Sequence, residues 1–141
     1  ITIEEELENL QNYFSILRIR YAGSFEYSFD VEEEELFSCL VPKLILQPLA
    51  ENSVMHGSSD DGSVMEILIT CWEENNHLII ELYDNGKGFE TLEQYSRNKF
   101  GLSIMKERVE LLGGDIKISS KENKGTSIWF EIPNAYSEDE E

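Results

Sequence analysis

A carboxylate and two closely spaced glycines follow an apolar strand pattern near the middle of the chain. Residues 78–83 read LIIELY and predict a strand, and Asp84, Gly86 and Gly88 come directly after it. Because strand side chains alternate between two faces, Asp84 shares a face with Ile80 and Leu82. A carboxylate that points into a core needs partners that offset its desolvation, which suggests a ligand. An ordinary Asp-Asn-Gly turn is the alternative, and this stretch alone favours the turn.

A second group of polar residues follows the helical period before Gly57. Glu51 lies four residues after Gln47, and His56 lies four residues after Asn52, so both pairs lie on one side of a helix. An Asn carbonyl beside a carboxylate offers oxygen ligands of the kind that Mg²⁺ takes when it also holds phosphates. A solvent-exposed helix face explains the same polar residues equally well.

Two further positions combine a glycine with the start of an element. Gly101 and Leu102 begin a predicted helix, where backbone amides and the positive end of the helix dipole can meet an anion. An ordinary helix N-terminus is the alternative, and by itself it is the more common case. Thr126 follows Gly125 and shares its side of the last predicted strand with Ile128, so it points inward. A hydroxyl satisfied within the core explains Thr126 equally well.

The elements that must position these residues form an α+β pattern. The first helix begins at a Thr2–Glu5 capping box and has one apolar seam, whose first half fits either this sheet or a partner helix. A second helix is predicted from Pro42 to His56, with Pro48 as a kink inside it. The sequence predicts helices over 2–20, 42–56 and 101–112, and strands over 25–31, 64–72, 77–83, 115–121 and 126–132. A turn at Asn75-Asn76 is predicted to join two of these strands in a hairpin. The last helix has an apolar face at Leu102, Met105, Val109 and Leu112 and is predicted to close at Gly113-Gly114. We therefore expect a two-layer α/β sandwich, with helices on one face of a mixed, mostly antiparallel sheet.

Composition narrows the classes of partner. The 141 residues suit one domain, and the net charge of −18 disfavours nucleic acid and anionic membrane surfaces as partners. Cys39 and Cys71 lie among apolar residues, which is typical of core cysteines in a reducing cytoplasm. The sequence contains no apolar run long enough to span a bilayer. Its start inside a helix pattern suggests a fragment of a larger protein.

Taken together, these motifs resemble those of a known family. The set Glu51-Asn52-x-x-x-His56-Gly57, Asp84-x-Gly86-x-Gly88, Gly101-Leu102 and Gly125-Thr126 resembles the ATP-binding domain shared by sensor histidine kinases, gyrase, Hsp90 and MutL, known as the GHKL or Bergerat fold. Three sequence segments are most similar to the LytS-like branch of bacterial sensor histidine kinases: LILQPLAENSVMHG, LYDNGKGF and GLSIMKERVELLGG. The resemblance covers about residues 2–133.

The resemblance implies a role for each motif residue. Asn52 would hold Mg²⁺ bridged to the phosphates of ATP, and His56 would lie near the phosphates or the ribose. Asp84 would accept a hydrogen bond from the adenine amine, with Thr126 helping through water. Glu51 stands where ATPases of this superfamily carry a general base and where sensor kinases often carry a polarising or orienting acid. The remaining ATP-binding residues implied are Gly86 and Gly88 in the adenine pocket, and Gly101 and Leu102 at the phosphates.

Two departures from the family pattern bear on nucleotide affinity. Family members often carry a lysine at the position of Met55, which would contact phosphate, and Met55 cannot replace it. The glycine-rich lid usually has two or three glycines, whereas RNKFGLS contains only Gly101. Lys99 is a possible substitute cation, although a solvated loop lysine is the more common case.

The resemblance also implies the larger assembly. Residues 1–22 would end the phosphoacceptor region, 23–133 would form the ATP-binding catalytic domain, and 134–141 would be a disordered acidic tail. The acceptor histidine would lie upstream, so this fragment would bind ATP without autophosphorylation. The resemblance implies a cytoplasmic domain of a bacterial membrane sensor, which would form a homodimer in its full length and have a response regulator as its partner. The alternatives are a GHKL-type ATPase that drives a clamp, and a degenerate docking domain without nucleotide.

Overall fold

The computed structural model contains one five-stranded sheet with helices on one face. It describes residues 1–21, 24–43, 45–56, 64–86, 102–121 and 125–135. The elements are α1 (Ile3–Arg20), β1 (Phe25–Val31), a short 3-10 helix (Glu34–Ser38), α2 (Gln47–His56), β2 (Met65–Glu74), β3 (His77–Asp84), α3 (Leu102–Leu111), β4 (Asp115–Lys121) and β5 (Gly125–Pro133). The strand order is β1-β2-β3-β5-β4. Of the four strand pairings described, only β1–β2 is parallel, so the predicted mixed, mostly antiparallel sandwich is confirmed.

The central strands β2, β3 and β5 bury one face of the sheet. Ile69, Leu82 and Ile128 lie on neighbouring strands at matching positions, and each is at most 2% exposed. The β2–β3 hairpin turns at Asn75 and Asn76, whose φ angles of 51° and 63° fit a turn in which both central residues are left-handed. The alternating sequence pattern predicted this hairpin, and the register delivers Asp84 to the buried face.

Helix α1 packs along its whole length on this core. The predicted capping box is present, because Thr2 and Glu5 exchange side-chain and backbone hydrogen bonds. Phe14 stacks on Tyr27 of β1, with 4.3 Å between ring centroids. The first half of the seam, which the sequence left open, is buried in the same core as the second half: Ile3, Leu7, Leu10, Phe14 and Leu17.

Helix α2 begins later than its sequence predicts. The prediction from Pro42 is wrong, since the helix starts at Gln47. The backbone amides of Ile45 and Leu46 donate instead to Oε2 of Glu6, at 2.7 and 3.0 Å. Pro48 therefore lies in the first helical turn, where a missing amide costs no helical hydrogen bond. The predicted cost of a proline inside the helix does not arise.

Helix α3 ends at the predicted pair of glycines. The amide of Gly113 donates to Glu110 and that of Gly114 donates to Val109, which closes the helix in a Schellman motif. Gly113 has a φ of +82°, as this motif requires. Val109 is buried as predicted, but Leu112 is 49% exposed because it lies in the turn beyond the helix. Its predicted place on the apolar face is wrong.

The buried cysteines belong to the core. Both Cys39 and Cys71 carry thiols and not a disulfide, and both are 0% exposed. Burial raises the pKa of the Cys71 thiol to about 12. Of the helices described, none is long and apolar enough to cross a membrane.

Candidate functional site

Asp84 is a buried carboxylate at the end of β3. It is 4% exposed and points to the inner face of the sheet, as the alternating pattern predicts. Its Oδ2 accepts a hydrogen bond of 2.8 Å from the hydroxyl of Ser53 on α2. Its Oδ1 accepts a bond of 3.0 Å from the amide of Gly86. The inward direction of Asp84 is therefore confirmed, and its bond to the amide two residues later is that of an Asx turn, while a ligand at Asp84 stays a prediction.

The turn after β3 is anchored to the start of β2. The side-chain oxygen of Asn85 accepts a bond of 2.7 Å from the amide of Glu66, and the Asn85 amide donates to the Glu66 carbonyl at 3.1 Å. This exchange extends the strand pairing by one residue through a side chain. The chain that leaves Asp84 is consequently held by two sets of hydrogen bonds, one from Asp84 to the Gly86 amide and one between Asn85 and Glu66.

Strand β5 begins directly beside Asp84. Thr126 is 5% exposed and pairs with Asp84 in the antiparallel register, so their side chains share the inner face. Gly125 has a φ of +88°, and a Cβ at this position would collide with the Asp84 carbonyl oxygen. A glycine is needed here because β5 approaches the end of β3 so closely.

Helix α2 borders this corner of the sheet. Ser53 is 4% exposed and connects α2 to Asp84, as described above. Glu51 is half-buried, and its Oε2 accepts a hydrogen bond of 2.7 Å from the hydroxyl of Tyr13 on α1. Burial, together with this bond to Glu51, raises the pKa of Tyr13 to about 12. The phenol therefore stays protonated, and remains a donor, to a higher pH than a free tyrosine.

The other predicted site residues are described either by their backbone alone or not at all. The backbone of Asn52 and His56 belongs to α2, and Leu102 begins α3, but their side chains lie outside the description, as does that of Met55. Gly88, Lys99 and Gly101 lie outside the described residues altogether. Within the described part of the chain, no three His, Cys, Asp or Glu side chains group closely enough to hold a metal ion.

The structure adds three polar side chains that the sequence did not single out. Ser53 follows Leu49 by one helical turn, so a polar residue on the apolar side of α2 was the available signal. Glu6, Leu10, Tyr13 and Leu17 follow one another at steps of four, three and four along α1. Glu6 and Tyr13 therefore flank the apolar seam, and that spacing was the signal for the burial of Glu6 and the partial burial of Tyr13.

Comparisons with known proteins agree with this arrangement. Residues 41–136 match the family described as Histidine kinase-, DNA gyrase B-, and HSP90-like ATPase. Sensor histidine kinase YesM of Bacillus subtilis (strain 168) is 33% identical over 138 residues, covering 94% of this chain and 24% of YesM. Sensor protein LytS of Bacillus anthracis is 32% identical over 154 residues, covering 100% of this chain and 26% of LytS. The chain thus spans about a quarter of the length of these relatives.

Solved structures match the fold. The catalytic domain of histidine kinase ThkA aligns with a TM-score of 0.74 at 18% identity, covering 97% of this chain and 96% of that domain. A histidine kinase domain from an Erythrobacter litoralis blue-light activated histidine kinase gives a TM-score of 0.71 at 17% identity, covering 94% of this chain and 61% of that one. Because these identities are low, they show shared architecture and not shared residues. With 96 consecutive positions matched by the family model, the chain belongs to the histidine kinase-, DNA gyrase B- and HSP90-like family of ATP-binding domains.

Proposed function

We propose that this chain is the catalytic, ATP-binding part of a two-component sensor histidine kinase. In the intact protein it would present Mg-ATP so that the γ-phosphoryl group passes to a histidine on an upstream helical region. A response regulator would then take the phosphoryl group. The sensor histidine kinases among its relatives support this choice within the wider family.

The observation that carries the proposal is the buried Asp84. A carboxylate at the inner end of a strand, oriented by Ser53 and by the Gly86 amide, has a fixed direction before any ligand arrives. A carboxylate can accept about four hydrogen bonds, so it can hold protein donors and an exocyclic amine at once. An adenine ring offers such an amine on a flat edge, which suits a site bordered by Gly86 and Thr126.

The remaining roles follow from the same proposal. Mg²⁺ would neutralise the charge on the phosphates, with Asn52 as its protein ligand and His56 near the phosphates or ribose. Gly86 and Gly88 would line the adenine pocket, while the Gly101–Leu102 helix start would meet the phosphates. Glu51 would orient or polarise the reacting groups. Phosphoryl transfer depends mainly on such positioning and electrostatics.

The partners and location belong to the proposal as well. The upstream phosphoacceptor region would pair with a second copy in a homodimer, and residues 1–22 would connect it to the ATP-binding unit. The domain would work on the cytoplasmic side of a bacterial membrane sensor whose membrane segments lie outside this sequence. With a net charge of −18, the chain is not expected to bind nucleic acid.

Two measurements test the proposal. A thermal-shift titration of this chain with ATP and Mg²⁺ should raise Tm by mass action, because ligand binds only the folded state. The longer protein with its upstream region should incorporate label from γ-labelled ATP into an acid-labile, base-stable phosphohistidine. Steady ATP hydrolysis without a histidine acceptor would instead indicate a clamp-type ATPase. No Tm shift at millimolar ATP would indicate a docking domain that has lost nucleotide.

A further inference from the structure

Helices α1 and α2 are joined by a hydrogen bond at the candidate catalytic acid. The Tyr13 hydroxyl donates to Oε2 of Glu51 at 2.7 Å, across 38 residues of sequence. That distance is typical of a strong bond between a hydroxyl and a carboxylate. A glutamate side chain has three rotatable bonds, so a carboxylate on a helix surface samples several orientations unless a partner holds it.

Tyr13 is itself held in place by the core. The next residue, Phe14, is 0% exposed and stacks on Tyr27 of β1. About two turns earlier, Glu6 accepts from the two amides that precede α2. These contacts fix α1 against both the sheet and the start of α2. The phenol therefore approaches Glu51 from a rigid base, whose position does not depend on Glu51.

We propose that Tyr13 is a positioning residue that holds the Glu51 carboxylate in the orientation required for phosphoryl transfer. The inference deepens the proposed function and rests on it, since it assumes that Glu51 acts on the reacting groups. Tyr13 engages Oε2, while Oε1 accepts from no residue in the described ranges. In this proposal Oε1 is the oxygen that would turn to those groups. Tyr13 belongs to α1, outside the residues 41–136 that match the family model. The segment before the family domain thus contributes to its catalytic geometry.

The test is a double-mutant cycle in the longer protein that includes the phosphoacceptor region. Tyr13→Phe removes only the hydroxyl and keeps the ring in its packing. We expect the single-turnover rate of histidine phosphorylation to fall about tenfold, since loss of a supporting hydrogen bond commonly costs one to two orders of magnitude. The Kd for ATP, measured with a fluorescent nucleotide, should stay within about threefold. In a Glu51→Gln background the same substitution should have no further effect.

Two more variants sharpen the cycle. Tyr21→Phe removes a neighbouring hydroxyl at the C-cap of the same helix, which raises the pKa of Tyr13 but, within the described residues, forms no hydrogen bond with Tyr13 or Glu51. It should leave the rate unchanged. Glu51→Asp keeps the charge but withdraws the carboxylate from Tyr13 by one methylene, and its rate should fall whether or not Tyr13 is present.

The outcomes distinguish a positioning role for Tyr13 from a structural role alone, and both of these from a failure of the proposed function. A Tyr13→Phe rate equal to wild type, or an equal loss in the wild-type and Glu51→Gln backgrounds, would overturn the positioning role. A parallel loss of rate, ATP affinity and Tm would also overturn it, because that pattern indicates a structural role alone. If the wild-type protein neither binds ATP nor forms phosphohistidine, the proposed function fails and this inference fails with it.

Discussion

Replacing Asp84 by asparagine separates the ligand role of this side chain from its role in the fold. The amide oxygen of asparagine can still accept from the Gly86 amide, and its nitrogen can donate to the Ser53 hydroxyl, which is able to accept as well as donate. Both named contacts therefore survive in a folded variant. Only the negative charge and the second acceptor oxygen are lost.

The Asp84→Asn variant is expected to lose much more affinity for adenine nucleotide than stability of the fold. A hydrogen bond to a charged group contributes about 1.5–3 kcal/mol, and a buried donor left facing another donor costs about 1–3 kcal/mol. Together these effects weaken adenine nucleotide binding by roughly a hundredfold to ten-thousandfold, because about 1.4 kcal/mol corresponds to tenfold. The unfolding free energy should change by less than about 2 kcal/mol, since the lost charge also removes a desolvation cost.

Isothermal titration calorimetry with ATP and Mg²⁺ measures the affinity, and a urea titration measures the stability. Asp30→Asn is the matched control: it makes the same chemical change near the end of β1, where the carboxylate is exposed, and should alter neither quantity. An Asp84→Asn variant that folds and binds ATP within threefold of wild type would refute the assignment of Asp84 to the adenine amine.

Three further predictions concern the surroundings of the site. Gly125→Ala should destabilise the fold by more than about 2 kcal/mol in a thermal melt and should weaken ATP binding, because a positive φ is strained and the new Cβ collides with the Asp84 carbonyl. In the control Gly113→Ala the φ is also positive, but the new Cβ makes only an ordinary contact with Pro133. Equal losses of stability in the two variants would contradict the collision as the cause. Glu6→Ala should cost about 2–5 kcal/mol in urea unfolding, because it leaves the buried amides of Ile45 and Leu46 without this acceptor, whereas Glu8→Ala on the exposed side of α1 should cost little. The Cys71 thiol keeps its proton in the folded state up to a pKa of about 12, while the unfolded thiol loses it near 9.0, so this thiol makes stability fall as pH rises through 9. Between pH 8 and 10 this thiol lowers the free energy of unfolding by about 1.4 kcal/mol. Cys71→Ala should therefore lose correspondingly less stability over this pH range, as measured by unfolding followed through the fluorescence of Trp72 and Trp129. An identical loss in both proteins would contradict the role of Cys71.

The parts of the fold that sequence predicted well depend on neighbours along the chain. Alternation placed β1 and the β2–β3 hairpin, because strand periodicity and the Asn75–Asn76 turn are local features. The α3 stop was predicted for the same reason, since a Schellman motif needs only its own glycines. Leu112 was misplaced because apolar periodicity continues one residue beyond the last hydrogen-bonded turn.

The contacts that sequence did not predict join residues far apart in the chain. The start of α2 was predicted too early because Pro42 suits a helix start, while the true start depends on Glu6, 39 residues before Ile45. The Ser53–Asp84 and Tyr13–Glu51 hydrogen bonds likewise connect separate elements. Periodicity shows that a polar residue lies on an apolar face, but the partner depends on how helices lie against the sheet.

Two buried carboxylates show how much burial can contribute to an assignment of function. Glu6 is 2% exposed and Asp84 is 4% exposed, so their exposure does not distinguish them. Glu6 lies between α1 and the start of α2, where its acceptor oxygen serves the helix N-terminus, and the packing of the fold explains it. Asp84 lies at a strand end, where it accepts from the Gly86 amide, and beside a neighbouring strand that needs Gly125. Its assignment to a ligand therefore rests on the close backbone approach around it, together with the family's adenine motif, and not on burial alone.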